Sequence, residues 1–115
     1  MSNTPASTQV FEITELHVGI LESFPPQLDI TVRGTVPSAG WTDPQLTPYT
    51  YVQAPPNGVY DFDFVAPPPQ GVATQVMTPI RLRVVLPGAG INGIRVHAAQ
   101  NSKEVILNPT GAQTT

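Results

Sequence analysis

The sequence predicts an all-β fold, a sandwich of seven or eight antiparallel strands, and three observations carry that prediction. Fourteen prolines and nine glycines are spread along the 115 residues. No proline-free stretch places apolar residues at i, i+3, i+4 and i+7, so helices are not expected. The apolar segments are rich in Val, Ile, Thr, Tyr and Phe, which fit a pleated, half-buried surface. Several of them alternate with a period of two, which sends one set of side chains to each face of a sheet.

Taken in order, the first strand is expected over residues 9–22, long enough that Gly19 should bend or bulge it and let it pass between sheets. Next, Leu28, Ile30 and Val32 alternate with Asp29, Thr31 and Arg33. A strand over 47–53 follows, and then Tyr60, Phe62 and Phe64 alternate with Asp61, Asp63 and Val65. In the segment 72–86, Ile80, Leu82 and Val84 alternate with Arg81 and Arg83, and Pro79, like Gly19 in the first strand, should bend or bulge it and let it pass between sheets. The last two strands are expected over 92–99 and 102–107. A slip of one residue would turn every apolar side chain of the alternating strands into water, so their register should be well determined. Residues 9–107 then form one domain, with polar, flexible tails at 1–8 and 108–115.

Loops fall at 23–27, 37–44, 54–58, 66–71, 86–90 and 100–102. Three of them contain adjacent prolines, at Pro25-Pro26, Pro55-Pro56 and Pro67-Pro68-Pro69. Such loops are stiff and polyproline-like, and stiffness lowers the entropy lost when a surface is held in one shape.

Composition excludes several functions. Net charge is -3 and the five cations, Arg33, Arg81, Arg83, Arg95 and Lys103, form no basic run, so neither nucleic acid nor a membrane surface is an expected partner. With no cysteine, thiol nucleophiles, disulfides and thiolate metal sites are ruled out. The first ten residues have neither the basic start nor the apolar run of a secretory signal. A cytoplasmic location is therefore expected ahead of a secreted one.

Few residues invite chemistry. His17 and His97 would leave a zinc ion short of ligands, so no metal and no cofactor is expected. Asp61 and Asp63 share one strand face, the arrangement of paired acid and base groups, but Arg81 and Arg83 have the same spacing and are the expected cross-strand partners. No serine lies in a nucleophile elbow, and no catalytic residue is assigned. The expected binding residues are Phe24, Pro25 and Pro26 in the stretch LESFPPQ, together with Trp41, Tyr49 and Tyr51. Flat sugars and proline-rich segments dock on such aromatic planes. Phe11 is expected to join Tyr60, Phe62 and Phe64 in the core, and LESFPPQ is read as a stiff corner between strands.

Residues 20–41 read ILESFPPQ, then an alternating strand ending Val32-Arg33-Gly34-Thr35-Val36-Pro37, then Gly40-Trp41. This resembles small bacterial all-β proteins of unassigned function that carry ESFPPQ before a strand, Gly-x-Leu-Pro and a short turn. In residues 86–107, Leu86, Pro87, Gly88, Val96, Ala98 and Asn101 resemble the last hairpin of immunoglobulin-like and fibronectin type III-like domains. Ile91 or Ile94 stands where those domains place a corner tyrosine. The resemblances imply an immunoglobulin-like sandwich and supply no activity. The expected function is a non-catalytic binding or assembly module that acts through rigid proline-rich loops and an exposed strand edge. Its partner would be a protein or peptide, a second copy of the chain included. The alternatives are a protease inhibitor that inserts LESFPPQ or the Pro67 loop into the protease, and a hydrolase built on Asp61 and Asp63.

Overall fold

Period-two alternation, bounded by proline and glycine turns, produces eight strands in the computed structural model, which describes residues 7–23, 25–53 and 55–107. They are β1 (Thr8–Gln9), β2 (Glu12–Leu21), β3 (Gln27–Val36), β4 (Gln45–Pro48), β5 (Val59–Ala66), β6 (Thr78–Pro87), β7 (Gly93–His97) and β8 (Ser102–Ile106). Strands β2, β3 and β6 form a three-stranded antiparallel sheet in that order. In the five-stranded sheet β5 is central, with β4 along one side and β7 and β1 along the other, and β8 beyond β7. The all-β sandwich is as expected. Within it the pair β5–β7 is parallel, and the crossover that a parallel pair requires runs through β6 in the opposite sheet.

Several boundaries differ from the sequence reading. The first strand changes sheet at Val10 and Phe11, not at Gly19, which pairs regularly with Asp29. The irregularity in β2 lies between Ile13 and Glu15, where Thr14 is the extra residue. Opposite it, Gly34 is held so close to β2 that an added Cβ would overlap the Glu12 carbonyl oxygen. Close approach, rather than bending, is therefore what requires a glycine. Strand β4 ends at Pro48, and β6 starts at Thr78 and runs through Pro79 in unbroken register with β3. Thr8, assigned to the tail, already pairs with Ala66, while residues 1–6 and 108–115 lie outside the described residues.

The core is made by the inward rows of both sheets. Phe62, Phe64, Ile94, Val96 and Val105 meet Leu16, Val18, Leu28, Ile30 and Val32. Full burial of each such side chain is worth about 1.5–3 kcal/mol. Phe11 is only half-buried and stays outside this cluster.

One flank of the sandwich is closed by polar contacts. The Asn101 side chain accepts a hydrogen bond from the Ile13 N–H at 2.8 Å and donates one to the Ile13 carbonyl at 2.9 Å. The N–H groups of Ala99 and Gln100 donate to the carbonyls of Val10 and Phe11, each at 2.9 Å. This stitches the switch segment to the end of β7. Asn101→Ala should lower stability by about 1–2 kcal/mol, since two hydrogen bonds are lost and a backbone pair is stranded. A urea titration reading the midpoint checks it.

The other flank, at β6, is different. Ile80, Leu82, Val84 and Leu86 pack against the core but are only half-buried, whereas the matching row of β3 is fully buried.

Candidate functional site

Alternation along β5 buries Phe62 and Phe64 and turns Asp61 and Asp63 outward. In the parallel register, Asp61 lies beside Arg95 and Asp63 beside His97. On the outer face Asp61 becomes the hub. Its Oδ1 accepts from Arg95 Nη1 at 3.1 Å and His97 Nε2 at 2.8 Å, and its Oδ2 accepts from the Tyr51 hydroxyl at 2.7 Å. That hydroxyl also accepts from the Asp61 N–H at 2.9 Å. Arg95 continues to Glu104 at 2.6 Å, and the Tyr49 ring stacks on His97 with centroids 5.3 Å apart. Asp63 accepts from Gln9 Nε2 at 3.0 Å and the Tyr49 hydroxyl at 3.3 Å.

Burial pushes the Asp61 carboxyl up, but the hydrogen bonds from His97 and Tyr51, with the Arg95 charge, outweigh it and hold the group below the ordinary carboxylate range. Burial raises the Tyr49 hydroxyl, assisted by the charge on Asp63, and raises that of Tyr51, assisted by its bond to Asp61. Asp61 is thus an ionised acceptor held by Arg95, His97 and Tyr51. Such a carboxylate has no proton to give at neutral pH.

The partners expected for Asp61 and Asp63 are not the ones found. Arg81 and Arg83 lie in the other sheet, where Arg83 binds Asp29 through two bonds of 2.9 Å. Alternation had placed the carboxylates on the right face, but the neighbour of β5 is β7. The histidines are likewise in different sheets, and His17 sits 3.3 Å from Glu15. Among the described residues no group of three or more His, Asp or Glu could hold a metal ion.

Tyr49 and Tyr51 come together over Asp61 and Asp63, with Tyr51 edge-on to Tyr60 at 5.8 Å. Trp41 is separate. Its Nε1 donates to the buried Ser38 hydroxyl at 3.1 Å, its ring packs against the core, and among the described residues no ring contact or hydrogen bond joins it to either tyrosine. LESFPPQ connects β2 to β3, neighbours in one sheet, through a hairpin closed at Leu21 and Gln27. Phe24 lies outside the described residues, while Glu22, Ser23, Pro25 and Pro26 are exposed. The Ser23 hydroxyl donates to the Pro25 carbonyl at 2.7 Å, and the Gly88 N–H donates to the Pro26 carbonyl at 3.0 Å.

That last bond also sets the orientation of β6. Gly88 and Pro26 continue the β3–β6 register, so even-numbered residues of β6 direct their backbone groups toward β3. Odd-numbered ones direct theirs away, as the antiparallel alternation requires. Pro79 and Pro87 stand at odd positions, where a missing N–H costs no ladder bond. Between them the N–H groups of Arg81, Arg83 and Val85 face the edge of the sheet, where among the described residues no strand pairs with them. The matching parity of these prolines was the available sequence signal. On the outer face of this sheet, a cleft of about 300 Å3 is lined by Arg33, Arg81, Pro79, Thr35 and Thr14 and extends from β6 over β3 toward β2.

No family model matches the chain, and neither a curated protein nor a solved structure matches it.

Proposed function

We propose that the chain is a non-catalytic binding or assembly module that captures an extended segment of a partner protein by strand addition at β6. The observation that carries this reading is the edge itself. Among the described residues no strand pairs with the donors of Arg81, Arg83 and Val85, and the half-buried row of Ile80, Leu82, Val84 and Leu86 lies beneath them. From Arg81 to Val85 the edge runs about 13 Å, enough for a partner strand of about five residues. Main-chain hydrogen bonds then supply affinity, and alternate side chains supply selectivity. The ionised Asp61, bound by His97, Arg95 and Tyr51, is not a proton donor, which weighs against a hydrolase that uses it as the acid.

Selection from a displayed peptide library tests the proposal. Strand-forming peptides should be enriched on the wild-type chain and lost on Val85→Pro. That variant removes one edge donor and keeps the β3 ladder, so its circular dichroism spectrum should match the wild type. Absence of enrichment, or enrichment indifferent to Val85→Pro, would overturn the β6 reading. Loss on Phe24→Ala instead would move binding to LESFPPQ.

A further inference from the structure

We infer that the segment captured at β6 alternates acidic and apolar side chains, with a carboxylate opposite Arg81; this rests on strand addition at β6 as the function. The outer-face row of β6 is Pro79, Arg81, Arg83, Val85 and Pro87, all exposed. Of its two cations, Arg83 is neutralised by Asp29. Arg81 has no ion pair among the described residues, and its direct cross-strand neighbour on β3 is another cation, Arg33. Like charges placed directly opposite one another are destabilising, whereas an opposite charge across a strand pair is favourable. Arg33 is already engaged with Glu15, at 3.4 Å. The local field beside the edge is therefore positive although the whole chain carries a net charge of -3.

An incoming strand has its own period of two. Side chains on its outer face fall beside Arg81 and Arg83, and those on its inner face extend the apolar row of Ile80, Leu82 and Val84. A carboxylate beside Arg81 completes a charge arrangement that β3, with Arg33 opposite, cannot complete. Apolar residues on the alternate positions cover the row that the fold leaves half-exposed. A second copy of this chain pairing through β6 does not meet the requirement, because no residue of that outer-face row is acidic.

The test uses the full chain and three fluorescent peptides of equal length with Val at alternate positions and Glu, Thr or Lys between. By anisotropy at low salt, the Val-Glu peptide should bind about fivefold more tightly than the Val-Thr peptide, the upper end of what one exposed ion pair contributes. The Val-Lys peptide, which net charge alone would favour, should bind most weakly. Arg81→Gln should abolish the preference for Glu over Thr, and added salt should reduce it. Equal affinity for the Glu and Thr peptides, or a preference that survives Arg81→Gln, would overturn the acidic partner while leaving strand capture standing. Failure of all three peptides to bind would overturn strand capture itself. Light scattering should show a monomer, and a stable dimer dissolved by Val85→Pro would make the second copy the occupant and overturn the inference.

Discussion

Phe64→Ala should destabilise the chain by about 3–5 kcal/mol, the range for removing a large aromatic side chain from a packed interior. Phe64 has no exposed surface and sits on β5, the central strand of the five-stranded sheet, flanked by β4 on one side and by the β1 and β7 side on the other. Its ring faces a row of residues on β2 and β3 that is itself fully buried. Strands paired on both sides cannot shift to fill a cavity without breaking ladder bonds, so relaxation there is limited. Small domains have total stabilities of about 5–15 kcal/mol, and the variant should lose a large part of that. Guanidinium unfolding should show a lower midpoint with an unchanged slope. Leu82→Ala, in the half-buried row of β6, should cost clearly less. Equal losses at the two positions would mean that β6 is as enclosed as β5.

Asp61→Asn should lower stability by about 2–3 kcal/mol and make the remaining stability less sensitive to acid. The Asp61 side chain is only 16% exposed and accepts from a guanidinium, an imidazole and a phenol. An amide of the same shape turns one acceptor into a donor, and hydrogen bonds to a charged group are worth about 1.5–3 kcal/mol each before neighbours readjust. Arg95 keeps its bond to Glu104, which holds the loss below that of a fully stranded buried charge. The pH effect follows from the depressed carboxyl. A group whose folded pKa lies below its unfolded value, about 3.9 for Asp, stabilises the fold above that value. The contribution is lost as pH falls through the lower folded value. Wild-type stability should therefore drop below pH about 4 more steeply than that of Asp61→Asn. Urea titrations of both chains between neutral and acid pH compare the two slopes, and parallel slopes would show that Asp61 is not held by these donors.

Asp61 also shows how far sequence reasoning reaches. Its outward orientation, with Phe62 inward, was legible because successive residues of a strand alternate whatever the strand pairs with. Its partners were not legible. Arg81 and Arg83 matched the spacing as well as any residues could, yet β6 went to the other sheet and β7 came alongside. Gly19 and Gly34 repeat the lesson within one pair of strands. Gly19 was the conspicuous glycine of a long segment, but no atom lies within 4 Å of where its Cβ would be. Gly34, named in the sequence only as part of a motif, faces the Glu12 carbonyl opposite the bulge of the neighbouring strand.

What the sequence by itself determined is therefore local. It set the all-β class, the alternating segments that become strands, and the face on which each side chain of such a strand lies. These depend on backbone geometry and on the nearest few residues. The tertiary structure alone decided which strands became neighbours, and with that the gathering of Tyr51, Asp61, Arg95 and His97 into one cluster and the exposure of β6 as an edge. Pairing is a competition among distant segments for the same backbone bonds and the same core. Its outcome rests on the fit of both sheets at once, and no single stretch of the chain contains that information.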